Sequence, residues 1–154
     1  MGSMMQSLKI LNKKEIKKIS ALLKRQFGFE KSLGYVFLMN NKSRIFLITG
    51  AISGIDMANL RINSLGLYFG EISSSQIRLS IEGSQLIGKD SKNIIELDEK
   101  EAKEWLGGID ISKKIDSRGF VLLRHKRDFL GCGKAVDNKI LNYVPKNRRL
   151  RASS

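Results

Sequence analysis

Residues 118–151 read RGFVLLRHKRDFLGCGKAVDNKILNYVPKNRRLR. An apolar run, Phe120 to Leu123, ends in the basic cluster Arg124-His125-Lys126-Arg127. A second apolar run carries Gly131-Cys132-Gly133, and Asp137-Asn138 is a two-residue turn signal leading into a third. The stretch closes on the chain's only proline, Pro145, and a basic tail. Short strands, tight turns and clustered cations predict a small β module that meets a polyanion.

The charge of the 154-residue chain is arranged in the same sense. The net charge is +13, with an excess of +5 in residues 1–30, zero in 31–117 and +8 in 118–154. A basic surface attracts phosphates and raises encounter rates with them. Two basic ends around a neutral middle point to a surface with one side committed to a partner. The apolar runs are too short to span a bilayer, and no signal peptide is legible at the start. One cysteine cannot make an internal disulfide or, alone, a zinc site. A reduced, cytoplasmic, non-membrane protein is the expectation.

Upstream, Asn12 and Glu15 have capping-box spacing, and Ile16, Ile19, Leu22, Leu23 and Phe27 follow at helical spacing up to Gly28. Residues 35–39 and 44–49 read as a hairpin that receives this helix, and Gly54-Ile55-Asp56 reads as a turn. A new unit is expected from Ile62, opening with a strand over 65–71 whose glycines permit a bulge. A strand over 76–81, a short helix capped by Ser84 and a strand over 93–97 come next. The helix 99–106 is opened by Asp98 with Glu101 and ended by Gly107-Gly108.

Little of this is catalytic. His125, the only histidine, has no acid–base partner identifiable by spacing, and reads as a surface or base-stacking group. Cys132, between two glycines in an apolar strand, reads as a small buried residue. The acids from Glu96 to Glu104 alternate with lysines on a solvated helix face. Neither a Walker loop nor a dinucleotide fingerprint is present. No catalytic residue, cofactor or metal is expected.

In order along the chain stand Gly66-Leu67-Tyr68-Phe69-Gly70-Glu71, Ser84 before a short helix, and Glu104-Trp105-Leu106-Gly107-Gly108. Gly119-Phe120-Val121-Leu122-Leu123, Leu130-Gly131-Cys132-Gly133-Lys134 and Asn142-Tyr143-Val144-Pro145-Lys146 complete the series. This order resembles the PUA-like RNA-binding segment that follows the catalytic domain of Sun/Nop-type RNA 5-methylcytosine methyltransferases, the RsmF-type tail. The layout also resembles small two-domain ribosome-biogenesis proteins.

The resemblance implies an α+β fold in which a small N-terminal α+β unit (1–60, pre-PUA) packs on a C-terminal PUA-like mixed β pseudo-barrel (61–154). It implies a non-catalytic chain that binds structured rRNA or tRNA in RNA modification or ribosome biogenesis. The implied partners are RNA and an RNA methyltransferase or pre-ribosomal particle. The methyltransferase catalytic residues have no counterpart here, so Cys132 is not a carried-over nucleophile. The expected RNA contacts are Arg124, His125, Lys126, Arg127, Lys134, Lys139, Lys146, Arg148, Arg149 and Arg151. A second reading makes the chain a docking subunit for a separately encoded methyltransferase, with the N-terminal hairpin as its docking face.

Overall fold

The computed structural model describes residues 8–49 and 66–150. Its elements in order are β1 (Lys9–Ile10), α1 (Lys13–Phe27), β2 (Tyr35–Met39), β3 (Arg44–Thr49), β4 (Leu67–Ser73), β5 (Gln76–Leu79) and α2 (Ile81–Ile87). There follow β6 (Ile94–Glu96), α3 (Glu99–Leu106), β7 (Ile111–Ser112), β8 (Gly119–His125), β9 (Asp128–Val136) and β10 (Lys139–Leu141). The turn expected at 54–56 lies outside the described residues.

Local chemistry sets the helix ends. Asn12 and Glu15 close a reciprocal capping box at the start of α1, and Gly28 ends it in the left-handed region at φ 66°. Asp98 and Glu101 do the same for α3. One expected cap is displaced. Ser80, not Ser84, opens α2, its Oγ accepting the Gly83 N–H, and β5 accordingly stops at Leu79. Ser84 is fully buried inside the helix, where its hydroxyl donates back to the Ser80 and Ile81 carbonyls. Both serines satisfy the cap preference. The one that wins stands directly after the strand, where its extended backbone at ψ 174° suits an N-cap.

The strands form two five-stranded sheets, ordered β1-β2-β3-β4-β5 and β6-β8-β9-β10-β7. Every pairing is antiparallel except β6 with β8, which makes the second sheet mixed. The α+β class with a mixed, PUA-like β part is therefore what the chain adopts. β4 and β5, expected to begin a new unit, extend the N-terminal sheet beside β3. The β3–β4 register shifts opposite Gly70, the bulge that its glycine permits. A Cβ at Gly70 would stand 2.7 Å from the Arg78 carbonyl oxygen.

The apolar run of β8 is buried on both faces, which explains why it does not alternate with polar residues. Leu122 packs with Cys132 and Phe129 into a core shared with Ile19, Phe27, Phe37 and Phe69 of α1 and the first sheet. Val121 and Leu123 point the other way, to Ala135, Ile140 and Trp105. Trp105 is fully buried, with its indole N–H donating to the Leu130 carbonyl at 2.9 Å. Gly133 is required by that ring. A Cβ there would lie 2.6 Å from Trp105 and from Ile140. The two sheets thus meet through one common core.

Candidate functional site

Among the described residues, the eight cations and His125 singled out from the sequence do not gather on one edge. A meander reverses direction at each turn, so the β8–β9 turn (126–127) and the β9–β10 turn (137–138) lie at opposite ends of β9. Nine residues of strand separate them, roughly 30 Å. At the first end, Arg124 Nε donates to Glu96 Oε1, and its guanidinium lies 5.6 Å from the Phe129 ring. His125 is anchored rather than free, its Nδ1–H donating to the Leu97 carbonyl at 2.9 Å. Lys126, at φ 57°, and Arg127 are exposed at the turn, with no ion-pair partner among the described residues.

At the other end, Lys139 Nζ is 3.8 Å from Asp110 Oδ2. The tail folds back instead of trailing. Arg148 makes a two-pronged contact with the Glu82 carboxylate at 2.7 and 3.2 Å, which holds that carboxyl below its ordinary range. Arg149 Nε donates to the Val144 carbonyl at 3.0 Å, and Leu150 N–H to the Leu106 carbonyl at 2.8 Å. Lys146 is exposed in a 3₁₀ turn, Lys146–Arg148. Arg151 lies outside the described residues.

Asn142 explains how the tail is held. Its side-chain amide donates to the Trp105 and Ile109 carbonyls at 2.8 and 3.0 Å, and its Oδ1 accepts the Val144 N–H at 2.8 Å. Its own N–H donates to Asp110 Oδ1 at 2.8 Å. Tyr143 and Pro145 are presented to the rest of the molecule from this fixed point.

What they face is a groove. One hollow lies between Tyr68, the start of α2 at Ser80–Glu82, Gly131-Cys132 and the Pro145–Arg148 segment. A second lies between Glu71, Ser73, Ser74, Gln76, Phe120 and Lys134. Arg78 and Tyr143 line both and form the saddle between them. The Arg78 guanidinium stands over the Tyr143 ring at 4.6 Å, and Phe120 lies 6.0 Å from that ring at a tilt. Lys134 Nζ is 5.8 Å from the Phe120 centroid and has no ion-pair partner among the described residues. Burial, reinforced by Glu71, raises the Tyr68 pKa, so its hydroxyl keeps its proton as a donor. Four cations, Arg44, Arg78, Lys134 and Arg148, stand about the groove against Glu71 and Glu82.

Such a groove offers stacking planes and cationic donors together, the two things an RNA strand requires of a protein surface. Burial pushes the Cys132 thiol at its wall up to about 12, so it stays protonated at neutral pH. Among the described residues no three His, Cys, Asp or Glu are placed to hold a metal, and no helix is long and apolar enough to cross a membrane.

Sequence reasoning named Lys134 and Arg148, which border this groove. It missed Arg78 and Tyr68. Tyr68 sits on β4 and Arg78 on β5, a hairpin joined to the first sheet by the long-range pairing of β4 with β3. Their only local signal is an arginine and a tyrosine at half-buried positions of apolar strands.

Residues 92–150 match the family described as the methyltransferase RsmF PUA domain, so the segment that supplies Phe120, Lys134, Tyr143 and Arg148 is PUA-like. The resemblance read from the motifs is borne out. The chain is also similar over most of its length to the ribosomal RNA small subunit methyltransferase F proteins of Vibrio species. It is 27% identical to that of Vibrio vulnificus (strain YJ016) over 139 residues, 86% of this chain and 29% of the relative. It is 28% identical to that of Vibrio cholerae serotype O1 (strain M66-2) over 136 residues, 86% of this chain and 28% of the relative. The chain thus spans under a third of the length of these relatives.

Proposed function

We propose that this chain binds structured RNA, rRNA or tRNA, without catalysing a reaction, and that it does so in the groove between α2 and the Tyr143–Arg148 segment. The observation that carries the reading is the Arg78–Tyr143 stack at 4.6 Å, with Phe120 beside it and Lys134, which has no ion-pair partner among the described residues. Lys and Arg donors take phosphates, while the aromatic faces take unpaired bases. Of the residues expected from the sequence, Lys134 and Arg148 belong to this groove. Lys126 and Arg127 form an outlying phosphate contact, which adds salt-dependent affinity without sequence preference.

In this proposal residues 1–60 act as a pre-PUA support and 61–154 as the RNA-binding unit. The latter lends β4 and β5 to the first sheet and so carries Tyr68 and Arg78 to the groove. The role is to hold RNA in the cytoplasm for a modification or ribosome-assembly step, beside an RNA methyltransferase or a pre-ribosomal particle. Support for the setting comes from the relatives, which are named as methyltransferases of small-subunit ribosomal RNA.

The test is the affinity of the full chain for small-subunit ribosomal RNA fragments and tRNA, by fluorescence anisotropy across a salt series. Tyr143→Ala and Arg78→Ala are each expected to weaken binding about tenfold, the scale of one lost base stack. Wild-type affinity in both variants would overturn the reading.

A further inference from the structure

Helix α1 carries more charge than its packing uses. Its 15 residues hold Lys13, Lys14, Lys17, Lys18, Lys24 and Arg25 against Glu15 alone. Lys9 and Lys24 are matched, to Glu15 at 2.6 Å and Glu30 at 3.3 Å. Lys13, Lys14 and Lys17 have no ion-pair partner among the described residues. Like charges repel across the i,i+4 pairs Lys13–Lys17 and Lys14–Lys18, so the fold alone gains nothing from them.

The geometry sorts these cations into two rows. With roughly 100° per residue, Lys14, Lys18 and Arg25 fall in one row on the exposed side of the helix, next to Leu22. Beyond Leu22, Gln26 meets β5, bonding the Ile77 backbone at 2.8 and 2.9 Å. Arg25 reaches the Ser75 carbonyl at 2.8 Å, in the β4–β5 turn. Ser73, Ser74 and Gln76 of the same hairpin line the groove. The row therefore runs some 16 Å along the helix and ends at the groove's rim, where the guanidinium of Arg25 keeps further N–H donors.

We propose that the Lys14–Lys18–Arg25 flank of α1 is a phosphate track for the paired portion of the RNA whose unpaired portion enters the groove. This rests on the RNA-binding reading above. A row of cations along a rigid helix, with the Lys14 and Lys18 ammonium groups exposed, suits the backbone of a duplex, which is recognised by its shape and phosphates. The groove, with its aromatic walls, suits the single strand that leaves it.

The experiment compares Lys14→Ala/Lys18→Ala with Arg78→Ala/Tyr143→Ala in the full chain. The two probes are an RNA hairpin with a single-stranded oligouridine tail, and the tail alone. Both lysines are exposed, so circular dichroism is expected to show an unchanged fold. The α1 variant is expected to bind the tailed hairpin several-fold more weakly, with a salt slope lower by about 2, and to bind the free tail as the wild type does. The groove variant is expected to lose both probes. If the α1 variant binds the hairpin like the wild type while the groove variant fails, the track is wrong and the groove stands. Equal loss of the free tail in the α1 variant would also overturn the track. If neither variant loses RNA, the groove reading falls, and the track with it.

Discussion

Asn142 satisfies two carbonyls and one N–H with a single side chain, at the point where the chain leaves β10 and turns toward the groove. Replacing it by alanine removes three bonds, although the Trp105 carbonyl keeps the Gly108 N–H and the Ile109 carbonyl is open to water, and each lost bond costs on the order of 1 kcal/mol. Asn142→Ala is therefore expected to destabilise the fold by about 3 kcal/mol in urea unfolding, and to loosen Tyr143. A shift below about 1 kcal/mol would show that water replaces the side chain at this turn. At this scale much was legible. The caps at Asn12 and Asp98 and the Asp137-Asn138 turn, with φ of 49° and 60°, follow from short-range rules that a sequence carries openly. Ser80 and Ser84 show the limit. Four residues apart, they carry the same cap signal, and only the end of β5 decides between them.

The elements are held by contacts that a linear reading does not reach. Among the described residues β5 is one of the two edge strands of the first sheet, and an open edge invites pairing with another chain. α1 covers it, and Gln26 stands in for a neighbouring strand by both donating to and accepting from the Ile77 backbone. Gln26→Ala is expected to cost about 2 kcal/mol and to raise the tendency to aggregate, measured by urea midpoint and light scattering. An unchanged midpoint would mean that the apolar face of α1 alone holds the edge. That apolar face was plain from the spacing of Ile16, Ile19, Leu23 and Phe27. The glutamine was not, since its role depends on a strand some fifty residues away. The same holds for β4 and β5. Their strand character was read correctly from composition, but their place in the first sheet, β4 beside β3 and β5 beyond it, goes with the shared core around Phe37, Phe69 and Leu122.

At the scale of the whole molecule, two sheets share one core and bring the groove residues together from Tyr68 to Arg148. The charge asymmetry predicted a committed face, and the proposal divides it into three parts. One is the groove, the second is the turn at Lys126-Arg127, and the third is the outer face of α1. Several expected contacts prove engaged within the protein: Arg124 with Glu96, His125 with Leu97, and Arg149 with Val144. Net charge counts cations but does not see their partners, which is why the list read from the sequence was longer than the groove.

The measurement that bears most directly on this account is ultraviolet crosslinking of the full chain to small-subunit ribosomal RNA fragments, with the modified peptides mapped by mass spectrometry. The account predicts nucleotide adducts on Tyr143, Tyr68 or Phe120, lost on competition with unlabelled RNA. Adducts confined to the peptide that carries Arg124 to Arg127, with the groove unmodified, would contradict it.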